Sequence, residues 1–207
     1  MKEDKIMGFT RAELKAQAKE QLKGNVWMYF LISLVAGLIT SASSALFGVG
    51  IIFIGYPVMM GLCVCVIMNM TYGEKPQIEM IFEPFKKCYW KAVGLMLVEG
   101  ILICLWSLLL VVPGIIKAYS YAQALNILNE NPDMSVMDCI SASKEMMKGH
   151  KWDLFVLELS FILWLLLVTV TFGIAAIYVT PYIALTEMNF YHRIKGNSAA
   201  QQPTVEA

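Results

Sequence analysis

Long apolar blocks constrain this chain more than any other feature. Segments 26–46, 51–70 and 92–112 each hold about 20 residues dominated by aliphatic and aromatic side chains, and shorter blocks follow at 115–128, 154–171 and 174–184. At a helical rise of 1.5 Å per residue, about 20 residues cross a hydrocarbon layer of about 30 Å. Composition agrees: 58% of the 207 residues are hydrophobic and 15% are charged, where a soluble domain is about half apolar and a quarter charged. The expected fold class is an all-α, polytopic membrane helix bundle.

Lys and Arg set its orientation, because short loops rich in them stay on the cytoplasmic side. They cluster as Lys2, Lys5, Arg11, Lys15, Lys19 and Lys23; Lys75, Lys86, Lys87 and Lys91; Lys144, Lys148 and Lys151; and Arg193 and Lys195. Three helical hairpins place all of these inside, with uncharged outer turns near 43–50, at Pro113-Gly114 and at Phe172-Gly173. Only Lys117 is left over. Without a turn at Pro113-Gly114, a helix from Lys91 to Asn129 would run roughly 58 Å, nearly twice the membrane core. Proline lacks a donor and glycine accepts positive φ, so a turn is expected there. Six segments follow, with both termini cytoplasmic in a bacterial plasma membrane. The fourth, Ile115 to Asn129, is short at about 22 Å. Lys117 then either snorkels outward or meets carbonyls freed at the break.

The domain organisation reads as an N-terminal amphipathic helix over 1–25, a transmembrane helical domain over 26–193 and an unstructured tail over 194–207. Thr10 to Glu13 fits a capping box, followed by Leu14, Ala18 and Leu22 at four-residue spacing and a stop at Gly24. Ser135 opens a second such helix within 135–149, with Val136, Ile140 and Met147 on one side and Gly149 at the end. Both are expected along the membrane surface. Residues 1–25 are too long and polar for the start of a cleaved signal, so 26–46 is expected to remain as an anchor. Ser33, Gly37, Ser41 and Ala45 form a small-residue ridge expected to face another helix. Trp27, Tyr29, Tyr89, Trp90 and Trp152 are expected as interfacial anchors.

Polar groups inside apolar blocks are costly and tend to be paired or used. Glu99, Glu158 and Glu187 each lie roughly 9–12 Å from the expected inner boundary. On the fourth segment Tyr119, Gln123, Asn126 and Glu130 are spaced four, three and four, one helical face. A polar seam from Lys117 to Glu130 facing these acids is the candidate ligand- or lipid-binding site. Carboxyls that simply lock helices together are the competing reading.

Catalytic signals are absent. His150 and His192 belong to no metal spacing and read as interfacial basic anchors. Cys63 and Cys65 form CxC rather than CxxC, and the five cysteines are expected free. No nucleophile elbow or phosphate loop occurs, so no enzyme, metal or cofactor is expected. A net charge of zero argues against nucleic acid.

The stretches "LKGN", "VVPGIIKAYSYAQALNILNENPDMS", "ASKEMMKGHKWDLFVLELSFILW" and "TFGIAAIYVTPYIALTEMNFY" resemble the bacterial integral-membrane family catalogued as domain of unknown function 975. The resemblance covers about residues 9–192 and implies a polytopic plasma-membrane protein, without an activity to carry over. A looser likeness is to the membrane domain attached to some glycerophosphodiester phosphodiesterases, whose soluble catalytic domain this chain lacks. Two functions stay open. The first is a non-enzymatic membrane module that binds a phospholipid, a partner membrane protein or a second copy of itself. The second is a small transporter of ions or amphiphiles that uses the polar seam.

Overall fold

The computed structural model describes residues 5–6, 9–44, 49–109 and 111–201. Strands β1 (Lys5–Ile6) and β2 (Phe9–Thr10) make a minimal antiparallel pair, and the described remainder is helices and their connections. Helices α1 (Arg11–Leu22) and α2 (Val26–Ser44) come first. A continuous helical rod follows: a π-helical turn at Ile51–Gly55, α3 (Tyr56–Met60), a second π-helical turn at Gly61–Val66, then α4 (Ile67–Thr71). After a 3₁₀ segment at Ile78–Phe82 come α5 (Glu83–Lys87), α6 (Tyr89–Leu109), α7 (Val111–Tyr121) and α8 (Ala124–Glu130). The chain ends with α9 (Val136–Met146), α10 (Lys151–Leu159), α11 (Ile162–Val170) and α12 (Ala176–Gln201).

Among the described residues, four helices are long and apolar enough to cross a membrane: Val26–Ser44, Ile51–Thr71, Tyr89–Leu108 and Lys151–Val170. The second is 61% buried, against 22%, 17% and 17% for the others. It is the central post, and the others expose apolar faces around it. Trp27, Trp90 and Trp152 are 71%, 73% and 70% exposed near the starts of α2, α6 and α10, as membrane-interface aromatics are. Tyr29 is instead buried. Tyr89 donates from its hydroxyl to the Phe53 carbonyl at 3.0 Å. Pro57, four residues after Phe53, has no N–H to give that carbonyl.

The doubling back between the third and fourth segments is present, but its details differ from expectation. α6 and α7 are antiparallel neighbours, with Gly114 against Ser107 and the Lys117 ammonium over the Trp106 ring at 4.4 Å. Pro113 and Gly114 lie inside the first turns of α7, past the reversal, where a missing N–H costs little. Gly114 serves close approach: a Cβ there would stand 2.2 Å from Ser107 Oγ and 2.9 Å from its Cα. The expected turn at Phe172-Gly173 is observed, with φ of 51° and 89°. The first outer turn falls largely on 45–48, outside the described residues.

The capping box forms as the spacing predicts, Thr10 and Glu13 exchanging backbone-to-side-chain bonds. Yet α1 does not lay its apolar face on lipid. Leu14, Ala18 and Leu22 are buried, and α12 is the helix they meet, each leucine contributing about 1.5–3 kcal/mol by leaving water. α9 likewise starts at a Ser135 cap and buries Ile140 and Met147 against the bundle. The apolar face of each helix therefore has its cover within the chain. The small-residue ridge is corrected. Gly37 and Ser41 are exposed, and Ala45 lies outside the described residues. The face of α2 that packs carries Tyr29, Ile32, Ala36 and Ser43. Where a tail was expected, α12 continues through Gln201, and 202–207 lie outside the described residues.

Candidate functional site

Two helices break in mid-course without proline or glycine. Between α7 and α8 the break falls at Ala122-Gln123. It frees backbone groups that must find partners, and the fully buried Ser143 of α9 supplies them. Its hydroxyl donates to the Ser120 carbonyl at 2.9 Å and accepts from the Gln123 N–H at 3.2 Å. Between α10 and α11 the break falls at Ser160-Phe161. There Lys15 of α1 donates to the Ser160 carbonyl at 3.3 Å and sits 4.2 Å above the Phe161 ring.

The first break opens a chamber. A cavity of about 250 Å³ is lined by Cys63 and Val64 of the central rod, Ala122, Gln123, Leu125 and Asn126 around the break, Leu154 and Glu158 of α10, and Ala184, Glu187 and Met188 of α12. A second cavity, of about 390 Å³, shares Ala122 and Glu158 and adds Ile115, Ala118 and Tyr119. A third, of about 180 Å³, shares Ile115 and Tyr119 and continues past Ile116 and Phe155 to Trp152 and Lys151. The three adjoin, forming a cleft between α7 and α10 that grades from a polar chamber to an almost wholly apolar groove. The Tyr119 hydroxyl donates to Glu158 Oε2 at 2.5 Å at their junction. Inside, Asn126 Nδ2 donates to Gln123 Oε1 at 2.8 Å.

The predicted seam is thus partly assembled and partly dispersed. Gln123, Asn126, Glu158 and Glu187 share the chamber, with Tyr119 at its mouth. Glu130 is elsewhere, accepting from the hydroxyl of Tyr191 and the ammonium of Lys195 at 2.6 Å, a lock between α8 and α12. Lys117 lines none of these cavities, because Trp106 holds it on the α6 side. Glu99 also stands apart, its Oε1 buried without a hydrogen-bond partner. The two histidines, expected as interfacial anchors, each have a side-chain partner. His150 Nδ1 faces Asp153 at 3.3 Å, and His192 Nε2 meets Thr71 Oγ1 at 2.9 Å. Sequence spacing missed Ala122, Lys151, Phe155 and Ser143, whose roles follow from a break that no breaker residue announces.

Burial lowers the Lys15 ammonium from the ordinary lysine value, and neighbouring Arg11 and Lys19 add to this. Lys87 is raised, chiefly by its hydrogen bond to Glu83.

Residues 108–198 match the model of a family described as "Protein of unknown function (DUF975)". The match contains every cleft residue except Cys63 and Val64. It lends no support to the likeness with the phosphodiesterase membrane domain. No curated protein matches the chain, and no solved structure matches it.

Proposed function

We propose, for a chain whose residues 108–198 match the family described as protein of unknown function DUF975, a non-enzymatic membrane module that takes up an amphiphile sideways from the bilayer. The observation that carries this reading is the adjacency of the three cavities: a middle cavity shares Ala122 and Glu158 with the chamber and Ile115 and Tyr119 with the apolar groove. An amphiphile needs both environments at once, adjacent and in that order. The groove begins at Trp152, one of the three exposed tryptophans that mark the inner interface. Glu158, six residues further on, lies roughly 9 Å deeper. α7–α8 and α12 act as the returning segments of the second and third hairpins, as the rod at 51–71 does in the first, which gives six membrane segments with both termini cytoplasmic, in a bacterial plasma membrane.

Native mass spectrometry of the chain released in mild detergent tests the reading. Ala122 is exposed and walls both inner cavities, so Ala122→Trp should plug the mouth. A retained lipid-mass adduct is expected on the parent chain and on the lipid-facing control Ala42→Trp, and its loss is expected on Ala122→Trp. Equal adducts on all three, or none on the parent, would rule the cleft out as a binding site. Transport is the second reading, favoured by one observation: the interrupted helix α7–α8 lines the chamber, as discontinuous helices line transporter sites.

A further inference from the structure

We infer that the cleft selects an amphiphile whose head is a protonated amine; this rests on the amphiphile-binding reading above and names the ligand's chemistry. The chamber of about 250 Å³ is walled by two carboxyl side chains, Glu158 and Glu187, and two amides, Gln123 and Asn126, with no Lys, Arg or His among its lining residues. Glu158 has one partner, the Tyr119 hydroxyl, on one of its oxygens. Glu187 makes no hydrogen bond or ion pair to any described residue. Gln123 is 3% exposed, and while its Oε1 is engaged by Asn126, its amino group has no partner among the described residues. Asn126 Oδ1 is also unengaged.

Acceptors therefore predominate in a void large enough for a small head group, and the amino group of Gln123, on the chamber wall, suits a hydroxyl or ester oxygen beside the amine. A phosphate or sulfate head would meet two acids with only amide donors to hold it. An ammonium would donate to Glu187, to the free oxygen of Glu158 and to Asn126 Oδ1, charge-assisted bonds that are strong in a site shielded from water. Its carbon chain would leave past Ala122 and Tyr119 into the groove of Ile115, Ile116 and Phe155.

The experiment uses the full chain in phosphatidylcholine nanodiscs. The probes are spin-labelled amphiphiles of one tail length carrying an ammonium, a hydroxyl or a sulfate head. Binding is read as quenching of the Trp152 emission, isolated by difference from Trp152→Phe. The ammonium probe is expected to bind roughly tenfold tighter than the other two, a preference that one charge-assisted bond can supply. Glu187→Gln should remove most of that preference while leaving the hydroxyl probe unchanged. Glu158→Gln should act in the same direction, and Asn126→Leu supplies a third variant should either acid prove necessary for folding. Equal binding of all heads, or a preference unchanged in every variant that folds, overturns the amine inference while the cleft survives. Failure of every probe to quench Trp152 overturns the cleft and the inference together.

Discussion

The two broken helices pose one physical problem and receive two solutions. At Ala122-Gln123 the freed backbone groups are met by Ser143, short, neutral and wholly buried. At Ser160-Phe161 the Ser160 carbonyl is met by Lys15, long, charged and partly exposed. A serine hydroxyl donates and accepts, so one side chain satisfies both a carbonyl and an N–H and leaves the neighbouring volume free. The chamber occupies that volume. A lysine only donates, and its stem and ammonium cover the Phe161 ring. The difference teaches that a helix break becomes a cavity only where its repair is compact.

Breaking the first repair should cost most. Ser143→Ala leaves the Ser120 carbonyl and the Gln123 N–H buried without that partner. The expected loss is about 2–6 kcal/mol, on the basis of about 1–3 kcal/mol for each of the two orphaned groups; chemical denaturation in detergent measures it. The Ala122→Trp adduct loss should accompany Ser143→Ala as well, since the chamber depends on the break holding its shape. Next comes Gly114→Ala, where the new Cβ meets Ser107 backbone and side chain. Overpacking of this kind costs about 1–3 kcal/mol. Pro113→Ala, by contrast, should stay within about 0.5 kcal/mol, because Pro113 occupies the early part of α7 rather than a turn. The second repair is the weaker one. Lys15→Met should cost about 1 kcal/mol or less, given the exposure of the ammonium.

Lys15 also gives the comparison a pH signature. Its folded value lies below the ordinary 10.5, so the folded chain binds fewer protons there than the unfolded chain. Stability should rise as pH climbs from the lowered value towards 10.5 and then level off. Lys15→Met should flatten that rise, whereas Ser143→Ala should leave it in place. Denaturant midpoints across the alkaline range check both.

Much of the architecture was legible because it rests on length and apolarity. The blocks at 26–46, 51–70, 92–112 and 154–171 correspond to the four described helices long and apolar enough to cross a membrane, and the capping residues Thr10 and Ser135 sit where their spacing puts them. Tertiary cover was not legible. Leu14, Ala18 and Leu22 look the same in sequence whether they face lipid or α12. Gly61 gave no signal that Ile81 backbone would press against it so closely that a Cβ would stand 2.2 Å from the carbonyl oxygen. The candidate site was half legible. The spacing of Tyr119, Gln123 and Asn126 identified a real polar face, but continuing it to Glu130 and Lys117 assumed an unbroken helix. The break at 122–123 turns the segment, so Glu130 joins Tyr191 and Lys195 while Lys117 joins Trp106.

Photo-cross-linking from the groove reads the central claim most directly. With Phe155 replaced by a benzophenone-bearing residue and the chain irradiated in native membranes, a lipid-mass adduct is expected at that position and should disappear when Ala122→Trp is added. An adduct of equal yield with the mouth plugged would mean that the groove merely touches bulk lipid, and would contradict a cleft that admits an amphiphile to the chamber behind it.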